Sequence, residues 1–281
     1  MLTILFDGIS TGMLLFVLAC GLAVTLGLMN FVNLAHGAFA MAGGYVTVVA
    51  MQRFGVPFLA TLPIAFLVTA VAGAVLERTL YVHLYGRSHL DQVLFSIGLV
   101  FMAMAGMDWL MGSSPQNIIL PPELKGRFDL WGIGIGRYRL FLLVVCGILA
   151  VALQLILTRT RFGSRLRAAV DDQRVARGLG IGVQTIFALT FAMGSGLAGL
   201  GGALGAEILG LDPSFPVKYM VFFLIVVTVG GTSSITGPFV AALLLGVADV
   251  SGKYFVPQLG SFVIYALMVA VLIVRPNGLF A

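Results

Sequence analysis

Charged side chains are scarce in this sequence: 16 Lys and Arg with 11 Asp and Glu make up only 10% of its 281 residues, where soluble domains carry about 25%. With 60% hydrophobic residues and a mean hydropathy of +1.09, the chain cannot cover itself with polar surface, which excludes a water-soluble globular domain. Lysine is rarer still. Lys125, Lys218 and Lys253 are the only three, and none follows a glycine-rich phosphate loop. The chain therefore has no nucleotide site of its own, and any ATP that drives it must be held by another subunit. Cysteine is limited to Cys20 and Cys146, both inside apolar runs, where inert packing is expected rather than a disulfide or a ligand. Residues 17–21 look in passing like a lipoprotein cleavage site, yet no Lys or Arg precedes them and Leu18 is bulky, so the first run reads as a retained span.

The sequence also lacks the constellations of an enzyme. No Cys or His pair stands at metal spacing, no acid pair falls in mid-span, and no Gly-x-Ser-x-Gly elbow occurs. No catalytic residue, metal or cofactor is expected in this chain. The eleven acids (Asp7, Glu77, Asp91, Asp108, Glu123, Asp129, Asp171, Asp172, Glu207, Asp212 and Asp249) all fall in loops or near span ends. That leaves no ion relay of the kind buried carboxylates give coupled carriers.

What is abundant is apolar sequence. Runs at 8–29, 56–76, 93–111, 140–157, 185–204 and 261–274 approach or reach the roughly 20 residues of a membrane span. Shorter apolar pieces at 35–51, 219–229 and 239–250 lie beside glycine-rich breaks, and 219–250 reads equally as two short spans or one re-entrant hairpin. The 36 glycines show no period and sit inside these runs, where membrane helices use them for close contact. The fold expected is an all-α, polytopic transmembrane bundle of eight or nine spans in one domain over 1–281, with short or broken helices and an internal pseudo-repeat.

The net charge of +5 matters through its placement, and no nucleic-acid partner is expected. Arg159, Arg161, Arg165, Arg167, Arg174 and Arg177 share one connection, and short loops rich in Lys and Arg stay in the cytoplasm. Counting spans from there puts 112–138 in the periplasm and both 78–91 and the segment after Arg275 in the cytoplasm. Lys125, Arg127, Arg137 and Arg139 in the outer loop run against the rule. His83 and His89 read as solvated surface.

Two breaks interrupt the apolar sequence. The first carries Asn30, Asn33 and His36, followed by Gly43 and Gly44; the second, 230–238, carries Thr232, Ser233, Ser234 and Thr236 between glycines, then Pro238. Polar irregular backbone at membrane depth survives only inside protein or beside a wet cavity, and paired breaks point to a transport site between repeats. These nine residues are the candidate translocation path, the alternative being ordinary turns between spans. His36 reads more readily as a local cap than as a proton carrier.

The Arg-rich connection has helical spacing of Leu166, Ala169 and Val170, with Arg167 and Asp171 at i, i+4, Asp171 and Arg174 at i, i+3, Ser164 as a candidate cap, and Gly178 and Gly180 to end it. A short charged helix on the cytoplasmic face suits docking onto a soluble subunit, or else simply sets topology. Arg165, Arg167, Asp171, Asp172, Arg174 and Arg177 are its candidate contact residues.

Four segments resemble the permease family of ABC importers for branched-chain amino acids. They are 33–45 with Asn33, Leu34, Ala35, His36, Gly37, Met41, Gly43, Gly44 and Tyr45; 161–181 from Arg161-Phe162-Gly163 to Gly180-Ile181; 229–238 with Gly230, Gly231, Gly237 and Pro238; and Arg275-Pro276-Asn277-Gly278-Leu279-Phe280. The resemblance implies a multi-pass permease of the bacterial inner membrane working by alternating access among membrane lipid. It implies a second related permease or a second copy of this chain, two cytoplasmic ATPase subunits that hold ATP and Mg, and a periplasmic solute-binding protein. It also implies a coupling helix within 161–181. Departures from the family pattern, such as Gly231-Thr232-Ser233-Ser234, widen the expected solute to branched-chain amino acids or a related small polar solute. An ion-coupled carrier or channel acting without an ATPase is the alternative.

Overall fold

The computed structural model describes every residue except Asn30, Val32, Trp131, Gly132, Thr232, Ser233 and Ala281. In chain order the elements are α1 (Leu2–Met29), α2 (His36–Phe54), α3 (Phe58–Thr79), α4 (His89–Met111), the strands β1 (Arg127–Leu130) and β2 (Ile133–Gly136), α5 (Arg137–Arg159), α6 (Arg161–Asp171), α7 (Gln173–Gly178), α8 (Val183–Leu209), α9 (Phe215–Gly230), α10 (Thr236–Phe255) and α11 (Gly260–Val274). Among the described residues six helices, α1, α3, α4, α5, α8 and α10, are long and apolar enough to cross a membrane, and shorter apolar helices run through α9 and α11. The protein is a polytopic helical bundle.

Two helices form its centre. Some 83% of the most apolar stretch of both α1 and α8 is buried, against 11% for α4. Their sequences explain why. Small residues let backbones meet without side chains between them, which is how helices associate where lipid offers no hydrophobic drive. Gly21 of α1 lies against Gly194 of α8, Gly43 of α2 against Gly199, and Gly202 against the Ala40 carbonyl. On the opposite flank of α1, Gly8 meets Val247 and Gly12 meets Ala242 and Leu243 of α10, while Gly246 returns the contact to Gly12.

The two ends of the bundle differ. At one end the antiparallel hairpin pairs Arg127 with Gly136 and Leu130 with Ile133, and the Gln116 amide donates to the Leu211 carbonyl at 2.7 Å. There Arg139 pairs with Asp7 at 3.3 Å, and Tyr138 donates to the Leu204 carbonyl at 2.6 Å. Asp212, in the α8–α9 connection, accepts from Lys218 and Ser214. At the other end lie α6 and α7.

One boundary differs from the sequence pattern. The 239–250 piece is the middle of a 20-residue helix, because Asp249 and Lys253 neutralise one another at 2.6 Å and the helix runs on past the second charge. The 261–274 run is α11 itself, to within one residue. Cys20 and Cys146 are both free and buried.

Candidate functional site

The first break is held by its polar residues. Asn33 is 1% and His36 2% exposed. The Asn33 side chain accepts from the Ala35 amide at 3.1 Å, an Asx turn that reverses the chain just before α2. It also accepts from the Tyr81 hydroxyl at 3.1 Å, which ties the break to the turn after α3. The Nε2 of His36 lies 2.7 Å from the Leu18 carbonyl. Since a carbonyl only accepts, Nε2 carries the proton. The His36 ring also meets Phe223 of α9 edge-on at 6.2 Å. Thus α2 starts against the middle of α1, and His36 bonds a neighbouring helix rather than capping its own.

Around Asn33 stands an aromatic shell. Phe31 makes edge contacts with Tyr81 and Tyr85 at 5.3 and 5.5 Å, and Tyr85 with Phe187 at 5.5 Å. Within it Glu77, 2% exposed, accepts from the Tyr85 hydroxyl at 2.8 Å. Burial, then the charge of Glu77, pushes the Tyr85 phenol above its ordinary value, so it stays a donor at neutral pH. The burial of Glu77 is not visible in a sequence that places it beside Arg78 at a span end. The cluster of Tyr81 and Tyr85 four residues apart is the one signal that could have found it.

The second break has a different setting. Ser234 and Thr236 hydroxyls lie 3.0 Å apart, and the Gly237 amide donates to Ser234 at 3.4 Å as α10 begins. Ser234, Ile235 and Thr236 line a cleft of about 170 Å³ with Gln154, Leu157 and Thr158 of α5 and Gly163, Leu166 and Arg167 of α6. Ser234 and Thr236 are therefore gathered beside the Arg-rich face, while Asn33 and His36 gather on the opposite flank of α1. Gly43 and Gly44 sit elsewhere again, at the contacts of α2 with Gly199 and Leu211. Asn30, Thr232 and Ser233 lie outside the described residues.

The Arg-rich segment is two short helices at an angle, not one. Thr160 rather than Ser164 caps α6, accepting from the Gly163 amide at 3.3 Å. Asp172 caps α7, accepting from the Arg174 and Val175 amides at 2.8 and 2.9 Å. Gly163, Leu166 and Ala169 form the buried face of α6. Arg167 forms no ion pair with Asp171 among the described residues; its guanidinium donates to the Leu157 carbonyl at the end of α5, where a cation suits the helix dipole. Arg165, Asp171, Asp172, Arg174 and Arg177 are exposed, as are Val175 and Leu179.

A family model described as "Branched-chain amino acid transport system / permease component" matches residues 4–272. The chain belongs to that family. The permease is 28% identical to the high-affinity branched-chain amino acid transport system permease protein BraD of Pseudomonas aeruginosa, over 98% of this chain and 94% of the relative. It is 26% identical to the corresponding protein LivH of Escherichia coli over the same shares. It is also 28% identical to the permease protein LivM of that organism, over 95% of this chain and 68% of LivM. No solved structure matches it. The likeness spans the whole bundle, so both breaks and the Arg-rich helices lie inside the permease fold, and the importer reading is favoured over the carrier or channel that would act alone.

Proposed function

We propose that this chain is the permease subunit of an ATP-driven importer, moving branched-chain amino acids or a related small polar solute across the bacterial inner membrane by alternating access. In this reading α6 and α7 lie in the cytoplasm, where arginine-rich connections stay, and the β1–β2 hairpin lies in the periplasm. A second, related permease or a second copy of this chain completes the path. The similarity of one chain to both LivH and LivM supports such pairing. Two cytoplasmic ATPase subunits hold ATP and Mg, and a periplasmic binding protein delivers the solute.

The observation that carries this reading is the surface of α7. Val175 is 57% and Leu179, just after α7, 75% exposed, beside Arg174 and Arg177, in the connection that this reading places in the cytoplasm. Apolar side chains ringed by charge outside the bilayer mark a docking surface for protein. Through Leu166, Ala169 and Arg167 the same platform is fastened to the bundle, so a docked motor subunit has a firm handle on it.

The test is affinity purification of the tagged chain in mild detergent, expressed with its genomic neighbours, followed by an ATPase assay in lipid. ATPase subunits are expected to co-purify, with activity stimulated by the binding protein. Val175→Glu with Leu179→Glu is expected to reduce the recovered ATPase at least tenfold while membrane insertion is unchanged. A wild-type chain that purifies alone, with all neighbours expressed, would sink the reading and restore the ion-coupled carrier.

A further inference from the structure

The segment after α11 does not trail away from the bundle. It turns back at Gly278, whose φ of +92° lies in the region glycine enters freely, with its amide bonded to the Arg275 carbonyl at 3.0 Å. It then runs along the end of α9. The Leu279 amide donates to the Val229 carbonyl at 2.8 Å and the Phe280 amide to the Gly230 carbonyl at 3.3 Å.

Those two carbonyls belong to the last turn of a helix, where the ladder supplies no partner. Val229 and Gly230 are buried, where such groups must be satisfied by protein, and the segment satisfies them. Glycines make the approach possible. A Cβ on Gly278 would stand 2.6 Å from the Gly231 nitrogen, and one on Gly237 would stand 3.3 Å from Cβ of Phe280. The strap, residues 275–280, therefore lies directly on the glycine turn of the second break.

The start of α10 faces α6. Ser234, Ile235 and Thr236 share their cleft with Leu166 and Arg167. The ends of α9 and α10 thus have the strap on one side and the α6 platform on the other. Since α11 packs on α10 and, less extensively, on α9, the strap closes α9, α10 and α11 into one body at the end nearest α6.

We propose that residues 275–280 are a positioning strap that fixes the end of α9 to the start of α10 beside α6, so that movement of the α6–α7 platform is delivered to both helices together. Leu279 and Gly278 are its positioning residues: Leu279 through its main-chain N–H, Gly278 through its left-handed turn. The proposal rests on the reading of α6 and α7 as the platform on which the ATPase subunits act.

The experiment compares solute taken up per ATP hydrolysed by the complete transporter in proteoliposomes. Leu279→Pro removes the N–H that reaches Val229; Leu279→Ala keeps it and trims the side chain. The expected result is a fall of at least fivefold in the uptake-to-ATP ratio for Leu279→Pro, with ATPase activity per assembled complex within twofold of wild type, and an unchanged ratio for Leu279→Ala. A purely structural strap would lower the amount of complex and leave the ratio alone. Should Leu279→Pro fail to assemble, Phe280→Pro, which forfeits the outer bond together with the ring, is judged by the same ratio against Phe280→Ala, which loses the ring and keeps the N–H. An unchanged ratio in whichever proline variant assembles, or loss of assembly in both, overturns the strap. A wild-type transporter without ATP-dependent uptake would instead overturn the functional reading on which the strap depends.

Discussion

His36 on α2 and Leu18 on α1 are joined by a hydrogen bond of 2.7 Å from imidazole nitrogen to main-chain carbonyl, deep enough that both residues are at most 2% exposed. The bond fixes how far the chain climbs back between α1 and α2 before helix resumes. It is a tie between backbone and side chain with no charged partner within the described hydrogen bonds, which fits a structural role for this histidine.

His36→Ala should lower stability by about 2–3 kcal/mol, combining a lost buried hydrogen bond with the space left by the ring. The thermal midpoint in detergent would report it, and His36→Gln, which can still reach the Leu18 carbonyl, should retain much of the difference. Equal midpoints for wild type and His36→Ala would contradict the tie.

Gly43→Ala should be far more damaging than its single methyl suggests, because the new Cβ would overlap the Gly199 main chain. Gly98→Ala and Gly106→Ala, on α4, meet nothing within 4 Å and gain helix propensity, so they should be neutral or mildly stabilising by up to about 1 kcal/mol. Monodisperse yield by fluorescence-detected size exclusion separates the two outcomes.

Lys253 and Asp249 pair at 2.6 Å with side chains 55% and 8% exposed, and Oδ1 of Asp249 is buried without a partner among the described residues. Lys253→Met should therefore destabilise the protein more than the double change Asp249→Asn with Lys253→Met, since only the single variant strands a buried carboxylate. Thermal midpoints of the two, compared at neutral pH, decide it; a single variant as stable as the double would refute the argument.

Much of the bundle was legible in the sequence because apolar run length reads directly onto membrane spans. The run at 239–250 understated α10 because hydropathy counts Lys253 as a bare charge, whereas its i, i+4 pair with Asp249 costs the helix little. Similarly, helical spacing through 164–177 hid the bend between α6 and α7, since Asp172 looks like any surface acid until its carboxylate is seen capping a new helix. Asn33 and His36 stand out in the sequence as polar residues among apolar ones, but their partners Tyr81 and Leu18 are 48 and 18 residues away, distances at which a single sequence carries no pairing signal.

Asp212 offers a pH test outside the spans. Burial works to raise its carboxyl, but hydrogen bonds from Lys218 and Ser214 outweigh it and the value falls below the ordinary one. A carboxylate with a depressed folded-state value stabilises the fold above the unfolded value of roughly 4 and loses that contribution as pH falls through the lower folded one. The difference in thermal midpoint between wild type and Asp212→Asn should thus shrink as pH drops below about 4. With Lys218 54% exposed, the whole effect should stay under about 1 kcal/mol. A difference that grows on acidification would reverse the assigned sign.

The glycine contacts around α8 also limit how this family can drift. Where the backbones of Gly43 and Gly199 touch, and again at Gly21 and Gly194, no neighbour can be exchanged to make room for a side chain, because the obstacle is the main chain itself. A side chain packed against another side chain can be traded one at a time. These crossings can change only by re-hanging two helices at once, so they form the fixed chassis of the bundle.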